Sequence, residues 1–293
     1  MAGEMYMPDF PIIDAHVHFY DVEKLNYSWM PNVPSLNHTS RVKEFDQARG
    51  KVAVDGIVFV EVDIDPGLHI EEAKFVAELA TGDQRLAGIV AHAPLEKGWA
   101  IEADLEKLQH IKGVKGIRRL IQGEVDPSMC IAPDFVDAVN LLPKYGMSFD
   151  ICIRHYQLVY AIELIKKCPN VRFILDHIAK PDIKNGLMEP WKGQIREMAK
   201  LPNVVCKVSG VATEADHKAW TRQQLRPYID HVIESFGFDR VMFGSDWTVA
   251  TLALEYPTWV DILDEVLAGT SRDEKQHFWR GTAIEAYNLP FSA

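Results

Sequence analysis

From end to end the chain alternates short apolar, β-branched runs with amphipathic stretches of helical periodicity, and this leaves few architectures open. Strand and crossover helix in repeated alternation require parallel strands covered by helices. The strand runs are PIIDAHVH from Pro11, DGIVFVEVD from Asp55, LAGIVAHA from Leu86, VKGIRRL from Val114, MSFDICIRH from Met147, VRFILDH from Val171, VVCKVSG from Val204 and RVMFGSD from Arg240. Eight is the number that closes a (β/α)8 barrel, and 293 residues hold its typical ~250 with room for insertions. Gly82 after IEEAKFVAELAT and Gly146 after PDFVDAVNLLPKY sit where helix-ending glycines are expected. Two more helices are predicted after the last strand, over residues 256–268 and 273–287. No Ser/Gly/Pro-rich linker, repeat or low-complexity tract interrupts the pattern, so residues 1–293 read as one α/β, TIM-barrel domain.

Charge and cysteine usage narrow the partners. With 31 Lys and Arg against 42 Asp and Glu, the net charge of -11 opposes tracking along a phosphate backbone, and nucleic acid is not an expected partner. Cys130, Cys152, Cys168 and Cys206 form no C-x-x-C pair, and Cys152 and Cys206 lie inside apolar strand runs as buried thiols would. The N-terminal MAGEMYMPDF lacks a basic region followed by an apolar one, and no run approaches the ~18 apolar residues of a membrane span. A soluble, cytoplasmic protein with no membrane partner is the expectation.

In a parallel barrel the chemistry sits where the strands end. The residues at those ends are His16 and His18, Glu61 and Asp63, His92, Arg118 and Arg119, Arg154 and His155, Asp176 and His177, Lys207 and Ser209, and Asp246. Side chains alternate along a strand, so one set faces the barrel axis and the rest serve structure. His16 and His18 are two apart in DAHVH, so both imidazoles project from one face and can converge on one atom or ion. His177 ends the sixth strand in FILDHIAKP, where a histidine bonded to a backbone carbonyl is the alternative. Asp246 follows the eighth strand in VMFGSDW; Ser and Asp both favour helix N-caps, and Ser245 can fill that need and leave Asp246 facing the mouth. Residues 19–40 lack periodicity and read as a long loop on the same face, where Tyr20, Tyr27 and Trp29 either cover a sugar-like ring or pack the loop.

H-x-H after the first strand, His after the sixth and Asp after the eighth resemble the amidohydrolase superfamily. The phrases DAHVHFYD, LDHIAKP and GSDW closely resemble its sugar-lactonase and 2-pyrone-4,6-dicarboxylate lactonase branch. The resemblance spans nearly the whole chain. It implies a distorted barrel and hydrolysis of a small lactone ester, such as fucono- or rhamnonolactone, with Asp246 as the base that activates water. It also implies that His16, His18 and His177 surround the carbonyl or, with Asp246, a single divalent ion such as Zn²⁺; members of the branch that work without added metal leave a metal-independent site open. Two departures limit the likeness. Binuclear members bridge their metals with a fourth-strand lysine or glutamate, whereas Lys115 lies at the start of VKGIRRL, so at most one ion is expected. GSDWT also lacks the proline that often follows the tryptophan in related sequences.

For substrate binding, Arg118 and Arg154 are candidates to clamp a carboxylate or hydroxyls, because a guanidinium presents a rigid fork of donors. Arg119 either does the same or salt-bridges to a surrounding helix. His92 and His155 are candidate hydroxyl partners and Trp29 a candidate ring platform, a mixture suited to a polyhydroxylated lactone rather than one with a long acyl chain. A metal-dependent decarboxylase of the same superfamily and a pyrone-dicarboxylate lactonase are the enzyme alternatives. A phosphodiesterase lacks its bridging ligand here, and a non-catalytic binding barrel has no use for a complete His/His/His/Asp set.

Overall fold

The computed structural model describes residues 7–292. Eight strands form one sheet: β1 (Ile12–Val17), β2 (Val54–Val60), β3 (Leu86–His92), β4 (Val114–Arg118), β5 (Ser148–Ile151), β6 (Phe173–Leu175), β7 (Val204–Val208) and β8 (Val241–Phe243). Neighbours follow chain order from β1 to β8, and every pair is parallel. Helices α1 (Val42–Arg49), α2 (His69–Gly82), α3 (Glu102–Gln109), α4 (Pro133–Leu141), α5 (Leu158–Lys167), α6 (Trp191–Met198), α7 (Arg222–Phe236) and α8 (Tyr256–Val266) follow the strands in turn, as the alternation predicts. Among the described residues no helix is long and apolar enough to cross a membrane. All four cysteines are free and buried.

Two local expectations fail. Gly82 is the last residue of α2 rather than a left-handed stop, and the extended Asp83 ends that helix. Gly146 does take the left-handed conformation, at φ 68°, after a short 3-10 turn. Residues 273–287 are not one α-helix but α9 (Arg272–Gln276), a π-helical turn over His277–Gly281 and α10 (Thr282–Tyr287).

This C-terminal segment plugs the barrel floor. Ile284, Tyr287 and Leu289 pack on the inward-facing Ile13, Val58, Val90, Ile174 and Met242. The opposite strand faces carry the larger apolar core beneath the helices. Going up the axis, the inward rows change from apolar to charged: Ile174 then Asp176, Val205 then Lys207, Met242 then Asp246. The period-two rise of a strand therefore puts the chemistry on top and the plug below.

The last seam, between β8 and β1, has only an isolated bridge between Val17 and Trp247. Asp14 compensates: its Oδ1 accepts from Ser245 N at 2.9 Å and from His16 N at 3.2 Å. His18 N donates to Trp247 O at 2.7 Å, and Asp246 N to His16 O at 2.9 Å. Ser245 thus ties the two strand ends together, its Oγ donating to His16 O, and caps no helix. The Trp247–Thr248 peptide in this loop is cis.

The long loop after β1 closes on itself through a Tyr20–Ser40 bridge. It is pinned to β2 and α2 by Trp29 Nε1, which donates to Val62 O at 3.0 Å, and by Tyr27 OH, which donates to Glu72 Oε1 at 3.2 Å. Val62 N shares that carboxylate oxygen, while Glu72 Oε2 is buried without a hydrogen-bond partner. Burial, reinforced by the nearby Glu61, pushes the Glu72 carboxyl well above the usual range.

Two stability predictions follow from these contacts. Asp14→Ala strands two buried N–H groups, so urea unfolding should register a loss of ~2–4 kcal/mol; a loss under ~1 kcal/mol would remove Asp14 from the seam. For Glu72 the folded pKa is the raised one. Below about pH 4 both states hold the proton, and as pH rises the unfolded chain ionises first, so stability is lost up to the folded pKa. Glu72→Gln keeps the acceptor and cannot ionise, so its melting temperature should gain on the wild type as pH rises above about 4. A difference that does not change with pH would contradict this.

Candidate active site

His16 stands at the centre of the charged layer. Two cations flank it: Arg118 Nη1 lies 3.3 Å from Nε2 and Lys207 Nζ 3.4 Å from Nδ1. Asp176 Oδ1 is 3.3 Å from the same Nδ1. Burial lowers the imidazole well below its ordinary pKa, more than Asp176 raises it, so the ring is neutral. Each ring nitrogen thus faces one cation, which can only donate, and one carboxylate, which can only accept: Lys207 and Asp176 at Nδ1, Arg118 and Asp246 Oδ1, 3.6 Å away, at Nε2.

The two cations are themselves neutralised. Lys207 Nζ donates to Asp150 Oδ2 at 2.6 Å and sits 3.0 Å from Asp176 Oδ1. Arg118 donates through Nε to Glu61 Oε1 at 2.6 Å, through Nη2 to Glu61 O, and through Nη1 to Asp176 Oδ2 at 3.3 Å. Burial alone would raise Asp176, but Lys207 and His16 hold it well below the usual carboxylate range. Glu61 is likewise lowered, with Arg118 and His92 outweighing burial. Asp150 goes the other way: burial lifts it to about 6 despite Lys207.

Above this layer His18, His177 and Asp246 face one cavity. His18 Nδ1 meets Val60 O at 2.8 Å, and a carbonyl only accepts, so Nδ1 carries the proton. Its Nε2 then faces Asp246 Oδ1 at 3.3 Å. His177 Nε2 is 3.9 Å from the same oxygen and its Nδ1 is 2.9 Å from Ser209 Oγ. Burial would raise Asp246, yet His177 and His18, followed by Lys180, lower it below the usual range, so the carboxylate is ionised at neutral pH. Burial holds His177 neutral. Gly210 and Gly244 make this packing possible: a Cβ on Gly210 would lie 2.7 Å from His177 Nδ1, and one on Gly244 2.9 Å from His16 Cβ.

The loop carrying His177 is unusual. His177, Ile178, Ala179 and Lys180 all take positive φ, between 46° and 61°. Each such residue costs ~1–2 kcal/mol, a strain that persists only where surrounding contacts over-determine it. Trp191 Nε1 donates to Ile178 O at 2.8 Å and Lys180 N to His177 O at 2.8 Å.

One donor atom each from His16, His18 and Asp246 falls within a 4.8 Å span, as for His16, Asp176 and His177. Nitrogen and carboxylate donors of this kind suit Zn²⁺. The facing Nε2 and Oδ1 of His18 and Asp246 are themselves a place for a cation. His16 differs, because Arg118 Nη1 stands 3.3 Å from its Nε2 and competes with an ion for that lone pair. The end of β4, where a bridging ligand would be required, is filled by this guanidinium; Lys115 is at the floor, bonded to Asn288 O.

The cavity has a volume of about 290 Å³ and is lined by His18, Trp29, Val33, Leu36, Val62, Asp63, Arg118, Leu120, Gln122, Cys152, His177, Lys180, Asp246, Val249 and Leu252. Of the residues expected from sequence, His18, His177, Asp246, Arg118 and Trp29 line the cavity and His16 lies against them beneath it. Three predicted binding residues lie outside this lining. His92 turns toward Glu61, 3.9 Å away, and stacks edge-on with His69. Arg154 is half-exposed and 3.5 Å from Glu214, and His155 packs against Tyr156. Arg118 reaches the cavity, but its fork is already bound on three sides and is not free to clamp a carboxylate. Tyr20 and Tyr27 are buried in loop packing, and Arg119 pairs with Glu96 and Glu124. Asp150, Lys180 and Gln122 were not singled out by sequence. The only hint of Lys180 is its place in FILDHIAKP, and Asp150 is hidden within the apolar SFDICI.

Comparison with known proteins agrees with this geometry. A curated L-fucono-1,5-lactonase from Burkholderia ambifaria is 28% identical over 254 residues, covering 85% of each chain. An L-rhamnono-gamma-lactonase from Scheffersomyces stipitis is 24% identical over 97% of this chain and all of its own. A crystal structure of an amidohydrolase from Burkholderia multivorans with bound zinc superposes with a TM-score of 0.84 at 26% identity, covering 96% of this chain and all of that one. The amidohydrolase family model matches residues 13–289, nearly the whole barrel, and the chain belongs to the amidohydrolase family.

Proposed function

We propose that the protein is a lactonase that opens a small sugar lactone, with Asp246 as its base. The carrying observation is Asp246 itself: a carboxylate almost wholly buried, kept ionised, and facing the cavity at the barrel mouth. Ester hydrolysis needs such a base, a polarised carbonyl and a stabilised oxyanion. The relatives named as fucono- and rhamnono-lactonases support the reaction class.

In this reading a water beside Asp246 gives its proton to the carboxylate as its oxygen bonds to the lactone carbonyl carbon. When the ring C–O bond breaks, Asp246 returns that proton to the departing alkoxide, and the new acid releases the remaining water proton to solvent to become a carboxylate. Neutral His177 holds the carbonyl side, its orientation fixed by Ser209. His16 stays neutral between Arg118 and Asp176 and supports the floor of the site. A divalent ion held by His16, His18 and Asp246, with Zn²⁺ the best match to these donors, would polarise the carbonyl and acidify the water.

The lining favours a ring with one polar and one apolar side. Asp63, Gln122 and Lys180 offer hydrogen bonds, while Trp29, Val62, Leu120, Val249 and Leu252 form an apolar wall. Fucono- and rhamnonolactone, each with a methyl group at the end of the sugar chain, fit that division better than a dicarboxylated pyrone.

A hydrolysis screen over aldono-, aldaro- and pyrone-lactones, with and without a chelator, tests the reading. Deoxy-sugar lactones should turn over fastest, and inertness of the folded protein toward every lactone would defeat the proposal. Asp246→Asn should fold normally and lose turnover by about a thousandfold or more; activity kept within about tenfold, a barrier change of only ~1.4 kcal/mol, would exclude Asp246 as the base.

A further inference from the structure

We propose that Lys180 is a catalytic residue of this site, whose ammonium receives the negative charge created when the ring opens, first on the carbonyl oxygen and then on the product carboxylate. The proposal rests on the lactonase reading and adds to it the group that meets the anion.

The inference starts from an inventory of cations in the cavity wall. Arg118 lines the cavity but is spent on Glu61, His16 and Asp176. Lys207 lies beneath, spent on Asp150 and Asp176. Lys180 also lines the cavity, and its only charged partner within 4 Å among the described residues is Glu214 Oε1, at 3.8 Å, too far for a hydrogen bond. Three N–H donors of a mostly buried ammonium are thus available to whatever enters. Glu214 is moreover shared with Arg154, 3.5 Å away, so this rim carries two cations to one carboxylate.

The chemistry needs such a group. A lactone is neutral, but its tetrahedral intermediate and its ionised hydroxy-acid product are anions, formed here beside the Asp63 carboxylate and, once the ring has opened, beside the recharged Asp246. Without an opposing cation those charges would repel the developing oxyanion. The left-handed turn supplies one: the same four residues that aim His177 at Asp246 bring Lys180 to the same cavity, and Trp191 fixes the turn through Ile178 O. A charge placed for the anion contributes little to binding the neutral ring and much to the barrier.

The test compares Lys180→Met and Lys180→Arg with the wild type on L-fucono-1,5-lactone, using L-fuconate as product inhibitor. Lys180→Met should leave KM within about threefold, lower kcat by ~30-fold or more, and weaken L-fuconate inhibition by at least about tenfold; Lys180→Arg should recover part of both losses. A rise in KM with kcat unchanged, or inhibition within about twofold of wild type, would overturn the assignment. If Lys180→Met does not fold, Glu214→Gln decides: removal of the competing carboxylate should tighten L-fuconate, and unchanged or weaker inhibition refutes the role. If the folded wild type opens no lactone, the lactonase reading alone has failed. Calorimetric titration with L-fuconate then tests Lys180: binding that is lost in Lys180→Met upholds it as the anion-binding group, and equal binding or none to wild type overturns it.

Discussion

Two cations buried across the barrel axis constrain everything above and below them. Arg118 on β4 and Lys207 on β7 are almost wholly removed from water. Each is affordable only because Glu61, Asp150 and Asp176 surround them; removal of one partner from such a buried pair typically costs ~3–5 kcal/mol. The network joins β4, β5 and β7 with the ends of β2 and β6. It also reaches the floor, where Tyr287 of α10 donates to Asp150 Oδ2 and stacks its ring under Lys207. The C-terminal plug and the active layer are therefore one electrostatic unit.

That unit also sets the proton positions higher up. His16 lies between Asp176 and Lys207 on one side and Arg118 and Asp246 on the other, and burial prevents a second proton. A change of proton on this ring would disturb both buried cations, so in the proposed reaction proton traffic falls instead to Asp246, which is flanked by His18 and His177 and opens on the cavity. The division of labour between two adjacent histidine layers comes from which neighbours are charged, not from the histidines themselves.

The parts legible in the sequence were those governed by strand periodicity. The eight apolar runs gave the barrel, and the two-residue step of H-x-H gave the shared face of His16 and His18. Strand ends were less informative one or two residues further on, where loop geometry takes over. His92 ends β3 yet turns to Glu61, and Arg154 starts a loop that leaves it on the rim beside Glu214. Lys180 was invisible because four consecutive non-glycine residues in the left-handed region are not encoded in any local propensity. The fate of Arg118 depended on Glu61, 57 positions away in sequence, a pairing that only the closed sheet creates.

The loops and the barrel consequently answer to different pressures. His16, Asp176, Lys207 and Asp150 are strand or strand-end residues locked into mutual neutralisation, so a change at any of them disturbs the whole layer. Trp29, Val33 and Leu36 after β1, Leu120 and Gln122 after β4, and Val249 and Leu252 after β8 line the cavity from loops, with little part in that network. Substitutions there alter the shape and polarity offered to a ring while leaving Asp246, His18 and His177 in place. Shape recognition can therefore change between related barrels more readily than the reaction, because it is separated from the buried charges by the layer of side chains that performs the chemistry.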